Sequence, residues 1–170
     1  KRVSLLFGLI MKELGMSEEL IVKLRYGAFL HDIGKIGVRD DILTKTGDLT
    51  EEELFLMKQH PEMGYNILEP INFLKESLPI VRSHHEWYNG KGYPDGLKGA
   101  EIPYEVSVFS VIDAYDALTT DRHYRKKYFN ETAFKIITEG IGTQFMPALT
   151  EKVLSIIKKC CETWHPEGSN

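Results

Sequence analysis

Several histidines and aspartates of this 170-residue chain fall on the apolar faces of predicted helices. His31 continues one apolar stripe, His84 a second and Asp113 a third, so each side chain should point inward. A carboxylate buried there without a partner would cost several kcal/mol. A bound cation would remove that cost, and the residues that could share it are His31, Asp32, His60, His84, His85 and Asp113.

The number and type of these side chains predict a metal centre with more than one ion. Four imidazoles and two carboxylates exceed the ligand count of a tetrahedral zinc site, but they suit two metals that share a bridging carboxylate. Mixed nitrogen and oxygen ligands without thiolate fit iron, manganese, nickel or zinc, and the residues alone do not choose among them. A single histidine on an apolar face is more often a hydrogen-bonded core residue, so the hypothesis rests on the whole set.

The elements that must position these residues are almost all helical. Apolar residues recur at intervals of three and four, and no convincing period-two alternation indicates a strand. Thr50 and Glu53 form a capping box at the start of one helix, and Pro61 predicts a break at His60 with an immediate restart. Apolar spacing predicts a helix over about residues 74–85, and residues 34–49, rich in Gly, Asp and Thr, are predicted to form a loop. Glycines and prolines make residues 86–103 an irregular loop. The predicted fold class is therefore all-α, a bundle of about seven helices.

Composition narrows the class of protein. With 42% apolar and 27% charged residues the chain is typical of a globular domain, and its net charge of -4 argues against a nucleic-acid polymer as partner. No apolar run approaches the roughly 18 residues that span a bilayer. The two cysteines, Cys160 and Cys161, are adjacent and are expected to be reduced thiols, which indicates a cytoplasmic protein. The chain begins with Lys1 and is expected to be a fragment.

A series of motifs resembles, in content and in order, those of the HD-GYP family of HD-superfamily metal-dependent phosphohydrolases. The motifs are HDIGK from His31, MKQHPEMG around His60, HHEWYNGKGYPDGLKG from His84 and VIDAYDALTTDR around Asp113. The resemblance covers nearly the whole chain and implies an HD-type helical bundle with a long GYP loop (residues 86–103). We expect a single HD-GYP domain over residues 1–165 and a tail over residues 166–170.

The resemblance implies an activity. The chain would hydrolyse cyclic di-GMP to linear pGpG, and in some members on to GMP, by a hydroxide between metals. It implies two divalent transition metals, or three in some members, with iron or manganese preferred. The first alternative is a phosphodiesterase for another cyclic dinucleotide such as cyclic GMP-AMP. The second is a non-catalytic module that binds a cyclic dinucleotide or docks on a partner. The expected partners are an upstream sensory or receiver domain and a diguanylate cyclase (GGDEF) domain that contacts the GYP loop.

The resemblance also assigns the six residues around two metals. Asp32 is expected to bridge the ions and to be essential for catalysis. The first ion would be bound by His31 and Asp113, and the second by His60 and His84. The family's further histidine ligand, in the motif HxxRV, would precede the first residue, so the domain is expected to be truncated at its N-terminus.

Further site residues follow from the same resemblance. His85 is expected to bind the second ion or, in members with three metals, a third. Lys35 is expected to donate to a phosphate oxygen during catalysis, with a solvated cation at a helix end as the alternative. Tyr93 is predicted to stack on guanine or to contact phosphate. Arg122 and Arg125 match basic phosphate-contacting positions, with a plain basic helix end as the alternative. The GYP loop is predicted to be mobile, because it has few apolar anchors.

Overall fold

The computed structural model describes residues 1–121 and 126–163. In this part the α-helices are α1 (Arg2–Glu13), α2 (Glu18–Leu30), α3 (Asp40–Leu43), α4 (Glu51–Met57), α5 (His60–Leu68), α6 (Leu78–Ser83), α7 (Tyr104–Thr119), α8 (Asn130–Glu139) and α9 (Pro147–Thr163). Short 3-10 helices lie at Ile33–Gly37, Asn72–Ser77 and Gly99–Glu101. The described residues contain no β-strand, so the predicted all-α class is confirmed. No helix in this part combines the length and the apolar character that crossing a membrane requires.

The junction between α4 and α5 follows its sequence signals. The Thr50 hydroxyl accepts a hydrogen bond from the Glu53 N–H at 3.3 Å, and the Glu53 carboxylate accepts one from the Thr50 N–H at 2.7 Å. Helix α4 ends at Met57 and α5 begins at His60, with Pro61 in its first turn, where no N–H is needed. This proline therefore places His60 at a helix start.

Two other segments differ from the prediction. A continuous helix was expected over residues 74–85, but a 3-10 helix precedes α6, which begins at Leu78 with Pro79 in its first turn. A proline inside a continuous helix would leave a carbonyl without its partner, so the α-helix starts there instead. The predicted loop over residues 34–49 contains part of a 3-10 helix and the four-residue α3. These short helices raise the number above the seven expected.

The main core joins α1 and α2 to α7, α8 and α9. Phe7 of α1 and Phe109 of α7 are fully buried and meet edge to face, with ring centroids 5.6 Å apart. Complete burial of such a side chain stabilises the fold by roughly 1.5–3 kcal/mol. The Phe109 ring centroid also lies 5.1 Å from that of His31 and 6.3 Å from that of His84. The apolar core thus forms one wall of the histidine cluster.

Candidate metal centre

The six predicted ligands converge, although they come from four separate segments. They are His31 and Asp32 after α2, His60 at the start of α5, His84 and His85 after α6, and Asp113 within α7. The ring centroids of His31 and His84 lie 5.2 Å apart, and those of His60 and His85 lie 5.1 Å apart. The neighbouring rings of His84 and His85 are separated by 4.1 Å. The chain therefore gathers four imidazoles into one site.

Asp32 lies in the middle of this site and faces two groups of side chains. Its Oδ1 atom is 3.3 Å from His60 Nε2 and 3.9 Å from His84 Nε2. Its Oδ2 atom is 3.4 Å from His31 Nε2, which in turn is 3.6 Å from Asp113 Oδ1. One carboxylate oxygen thus serves each group, which is the arrangement that a bridging carboxylate requires.

Backbone carbonyls determine which nitrogen carries the proton in three of the histidines. In His31, His60 and His84, Nδ1 lies 3.0, 2.8 and 3.0 Å from the carbonyl oxygen of the residue three positions earlier. A carbonyl oxygen can only accept a hydrogen bond, so Nδ1 must donate. Each neutral imidazole then keeps its lone pair on Nε2. Those Nε2 atoms are the ones that face Asp32.

In this tautomeric form three acceptor atoms face one another. His60 Nε2 and His84 Nε2 are 3.3 Å apart, and Asp32 Oδ1 lies beside both. Both histidines are buried, with 1% and 4% of their surface exposed. Together with His85 they offer ligand atoms that all lie within 4.8 Å of one another, a grouping that could hold a metal ion. A cation among these atoms would satisfy the facing lone pairs.

The electrostatics keep these groups in the forms that bind cations. Burial and the neighbouring histidines hold the pKa of His84 well below its usual value. Burial is the largest of the effects that lower the pKa of His85 to about 3. Burial alone would raise the pKa of Asp32, but its interactions with His31, His60 and the Lys35 ammonium hold it well below its usual range. Neutral imidazoles and an ionised carboxylate release no proton when a metal binds.

Lys35 and Tyr93 border the centre. The Lys35 ammonium donates to Asp32 Oδ2 at 2.7 Å, so this side chain turns toward the centre. The Tyr93 ring stacks on the imidazole of His85, with centroids 4.7 Å apart and planes 24° apart. The Lys58 ammonium also lies over the Tyr93 ring, 5.3 Å from its centroid. Since the imidazole covers one face of the phenol, a base could stack only on the other.

Glu86, which sequence reasoning missed, anchors the GYP loop. Only 2% of its surface is exposed. Oε1 accepts hydrogen bonds from the N–H groups of Asp95 at 2.7 Å and Gly96 at 3.0 Å, and Oε2 accepts one from Leu97 at 3.0 Å. Burial raises the pKa of Glu86, and these three donors oppose that change. An acidic residue in a polar loop usually indicates solvent exposure, so the sequence carried no signal for this role beyond its position directly after His85.

Two of the predicted substrate contacts cannot be placed. Arg122 and Arg125 lie outside the described residues, as does the predicted tail over residues 166–170. The predicted mobility of the GYP loop stays a prediction. Its stated reason, a lack of apolar anchors, overlooked the polar anchor that Glu86 supplies.

The chain is similar to known proteins over most of its length. A family model described as HD domain matches residues 1–149. The chain is 40% identical over 169 residues to a cyclic di-GMP phosphodiesterase of Thermotoga maritima, covering 98% of this chain and 46% of that protein. It is 34% identical over 160 residues to the 3'3'-cGAMP-specific phosphodiesterase 3 of Vibrio cholerae, covering 92% of this chain and 35% of that protein. It thus spans less than half the length of either relative.

A solved structure shares the same arrangement of helices. Bd1817, an HDG"Y"P protein from Bdellovibrio bacteriovorus, matches with a TM-score of 0.73 at 23% identity, covering 92% of this chain and 50% of that chain. At this identity the likeness concerns the fold alone. The family model covers most of the sequence, including every residue of the histidine cluster. The chain therefore belongs to the HD domain family, and within it to the HD-GYP group that its motifs predicted.

Proposed function

We propose that this domain is a metal-dependent phosphodiesterase that hydrolyses cyclic di-GMP to linear pGpG, with GMP as the product of a second hydrolysis. The observation that carries the proposal is the set of facing acceptors formed by Asp32 and the buried imidazoles of His60 and His84. Hydrogen bonds from Nδ1 to backbone carbonyls prevent a proton from filling the gap in the neutral state. The identity to a cyclic di-GMP phosphodiesterase supports the choice of substrate.

The donor set fits two divalent metals. We assign Asp32 as the bridging ligand, with His31 and Asp113 on its Oδ2 side and His60 and His84 on its Oδ1 side. When bound, the ions would neutralise phosphate charge and lower the pKa of the attacking water. The clustered imidazole nitrogens and carboxylate oxygens are compatible with iron or manganese, which we propose as the native metals because the family resemblance implies them.

His85 is proposed as a ligand of the second ion, or of a third ion where one binds. Its ring is turned toward His60 and belongs to the same cluster of ligand atoms. The stacked Tyr93 ring restricts how the imidazole can rotate. Since the pKa of His85 is lowered to about 3, the ring is neutral at physiological pH and ready to bind a cation.

Lys35 and Tyr93 are proposed to contact the phosphate that is cleaved. The Lys35 ammonium is already held at the centre by Asp32, and it could donate to a non-bridging oxygen as negative charge develops there. Burial and the charges of Asp32 and Asp113 raise the pKa of Tyr93, so its hydroxyl stays a hydrogen-bond donor. We propose phosphate contact, and not base stacking, for this tyrosine. Arg122 and Arg125 remain proposed as further phosphate contacts.

A second candidate substrate is cyclic GMP-AMP. The 34% identity to a phosphodiesterase named as specific for 3'3'-cGAMP favours it, since the two substrates differ only in one base. The third alternative, a non-catalytic binding or docking module, is less favoured because the proposed ligands converge and because Asp32 and His85 are held in the forms that bind metals. The metal centre alone cannot distinguish the two substrates, because it would contact phosphate.

The proposed setting follows from the relatives and from the cysteines. We propose that residues 1–165 form one HD-GYP domain that works with a sensory or receiver domain, since the chain covers only 46% of a relative. A GGDEF domain is proposed to contact the GYP loop. The adjacent positions of Cys160 and Cys161, which rarely bridge, support a reducing compartment, the cytoplasm.

Metal content and turnover test the proposal together. Protein loaded anaerobically with Fe(II) or with Mn(II) is expected to bind about two ions per chain, as a bridged pair requires. It should hydrolyse cyclic di-GMP faster than cyclic GMP-AMP in parallel assays. Preference for cyclic GMP-AMP would establish the second candidate. Metal binding without hydrolysis of either compound would establish the non-catalytic module.

A further inference from the structure

Glu86 directly follows the two adjacent histidines of the centre but does not join them. Among the described residues, the cluster of close ligand atoms contains His84 and His85 and leaves Glu86 out. Both carboxylate oxygens of Glu86 instead accept hydrogen bonds from backbone N–H groups nine to eleven residues later. Burying an ionised carboxylate is costly, and three charge-assisted hydrogen bonds are the kind of compensation that makes it stable. These contacts indicate that Glu86 has a structural role in the loop and not a role as a ligand.

The hydrogen bonds to Glu86 fold the GYP loop back over the chain segment that carries the histidines. At Gly92 the returning backbone touches the segment that carries the histidines, because an added Cβ would lie 2.3 Å from Trp87 N and 2.5 Å from His85 O. The next residue, Tyr93, donates its N–H to the His85 carbonyl at 3.2 Å. Its ring then stacks on the His85 imidazole. The return of the loop thus ends in direct contact with a proposed metal ligand.

A second contact holds the same part of the loop but differs in burial. Arg82 donates two hydrogen bonds to the Asp95 carboxylate, at 2.8 and 2.7 Å. About a third of each of these side chains is exposed, so solvent weakens the pair. Glu86 is the buried anchor, and its acceptors face the loop backbone where water does not compete.

We infer that Glu86 is a positioning residue whose buried carboxylate holds the GYP loop so that Tyr93 packs on His85. Glu86 is not among the clustered ligand atoms of the described residues, and it acts on the centre through Tyr93 and His85. The kinetic part of this inference rests on the proposed function, whereas the structural part does not. The two parts therefore need separate measurements.

Hydrogen exchange of the metal-free protein tests the structural part. Glu86→Gln leaves one oxygen for the N–H groups of Asp95 and Gly96 but turns an amide NH₂ toward Leu97 N–H. Exchange over residues 92–97 should accelerate roughly tenfold to hundredfold, the factor for losing a hydrogen bond to a charged group. Glu101→Gln is the matched control, because the Glu101 carboxylate also accepts from a loop N–H, at 2.8 Å, but in an exposed position. Unchanged exchange in Glu86→Gln would overturn the anchor.

A double-mutant cycle with Tyr93 tests the kinetic part. Glu86→Gln should lower kcat/KM for cyclic di-GMP by about tenfold, the lower end of the effect of losing a hydrogen bond to a charged group, and should leave the metal content unchanged. Glu101→Gln should have the kcat/KM of wild type. In a Tyr93→Ala background the same substitution should cost at most about twofold, since its effect passes through Tyr93. Equal losses in both backgrounds would show that Glu86 does not act through Tyr93.

Two further results distinguish a failure of this inference from a variant that does not fold and from a failure of the proposed function. Glu86→Asp keeps the charge but shortens the side chain, and it should show the same accelerated exchange. This variant serves as the test if Glu86→Gln does not fold. Wild-type exchange in a folded Glu86→Asp protein would count against the anchor. If wild-type protein hydrolyses no cyclic dinucleotide, the proposed function fails, while the exchange measurement still decides whether Glu86 holds the loop.

Discussion

The metal centre and the GYP loop beside it are held by contacts of different range. In the centre, His31, His60 and His84 are each oriented by a carbonyl three residues earlier in the chain. In the loop, Glu86 accepts hydrogen bonds from residues nine to eleven positions later. The first kind of contact joins residues only three positions apart, whereas the second forms only after the loop has folded back. Changes in the centre should therefore affect metal binding, and changes in the loop should affect activity while the metals stay bound.

The largest effect is expected from Asp32→Ala. Its two oxygens face different groups of ligands, so its loss should damage both metal sites at once. Turnover should fall by more than the roughly 10²–10³-fold that one oxyanion donor contributes. Bound metal should fall as well, measured by elemental analysis of the loaded protein.

Asp48→Ala provides the matched control for Asp32→Ala, because Asp48 is an exposed carboxylate. It should keep wild-type metal content and turnover. An Asp32→Ala protein that retains both ions would rule out the bridging role. Loss of metal in both variants would mean that the assay reports general damage to the fold.

A smaller effect is expected from Lys35→Ala. The Lys35 ammonium pairs with Asp32 but supplies no ligand atom, since a protonated amine has no lone pair. The variant should lose about 2–4 kcal/mol of transition-state stabilisation, the value typical of an oxyanion donor. Its metal content should equal that of wild type. Metal loss in parallel with activity would assign Lys35 to the structure of the centre and not to catalysis.

The difference in contact range also explains what the sequence could predict. The inward register of His31, His84 and Asp113 follows from helical periodicity, because apolar neighbours on the same helix define the buried face. The helix start at His60 was predicted from Pro61, which is also a local signal. No local pattern specifies how helices pack, so their convergence at one centre was inferred indirectly, from the need of the buried ligand-type side chains for a cation, and was strengthened by the family resemblance.

Two features escaped the sequence because they depend on tertiary contacts. The stacking of Tyr93 on His85 leaves only one ring face for a ligand, and only the folded loop reveals it. The burial of Glu86 contradicts the usual preference of its residue type and has no periodic pattern around it.

The 3-10 helix before α6 was missed for a different reason. Pro79 is visible in the sequence, but apolar spacing alone suggested a continuous helix.

The response of stability to pH should sharpen the comparison further. Burial lowers the pKa of His85 to about 3, below its unfolded value near 6.5, so the unfolded state binds more protons as pH falls below 6.5. The metal-free protein therefore gains stability from neutral His85 at pH 7 and loses it on acidification. His31 and Asp113, whose pKa values are raised, oppose this slope.

Replacing His85 isolates its contribution from these opposing groups. Between pH 6.5 and 5.5 the free energy of unfolding of wild type should fall relative to that of His85→Gln by about 1 kcal/mol. The fall is smaller than the roughly 1.4 kcal/mol of a full proton per pH unit, because the unfolded imidazole is already about half protonated at pH 6.5. Urea unfolding of both metal-free proteins at the two pH values measures this difference. Parallel pH dependences would show that His85 titrates normally and is not enclosed by the centre and Tyr93.

The smallest effect is expected from Tyr93→Phe, which separates the two roles of this residue. Phenylalanine keeps the ring that stacks on His85 but lacks the hydroxyl proposed to contact phosphate. Affinity for cyclic di-GMP should weaken by about 0.5–1.5 kcal/mol, the usual contribution of one hydrogen bond, when measured in the hydrolysis-deficient Lys35→Ala background. Tyr93→Ala removes the ring as well and should weaken affinity more. Equal affinities of Tyr93→Phe and the parent would mean that only the ring matters, and Tyr93 would then serve to hold His85 while the phosphate is bound by other residues.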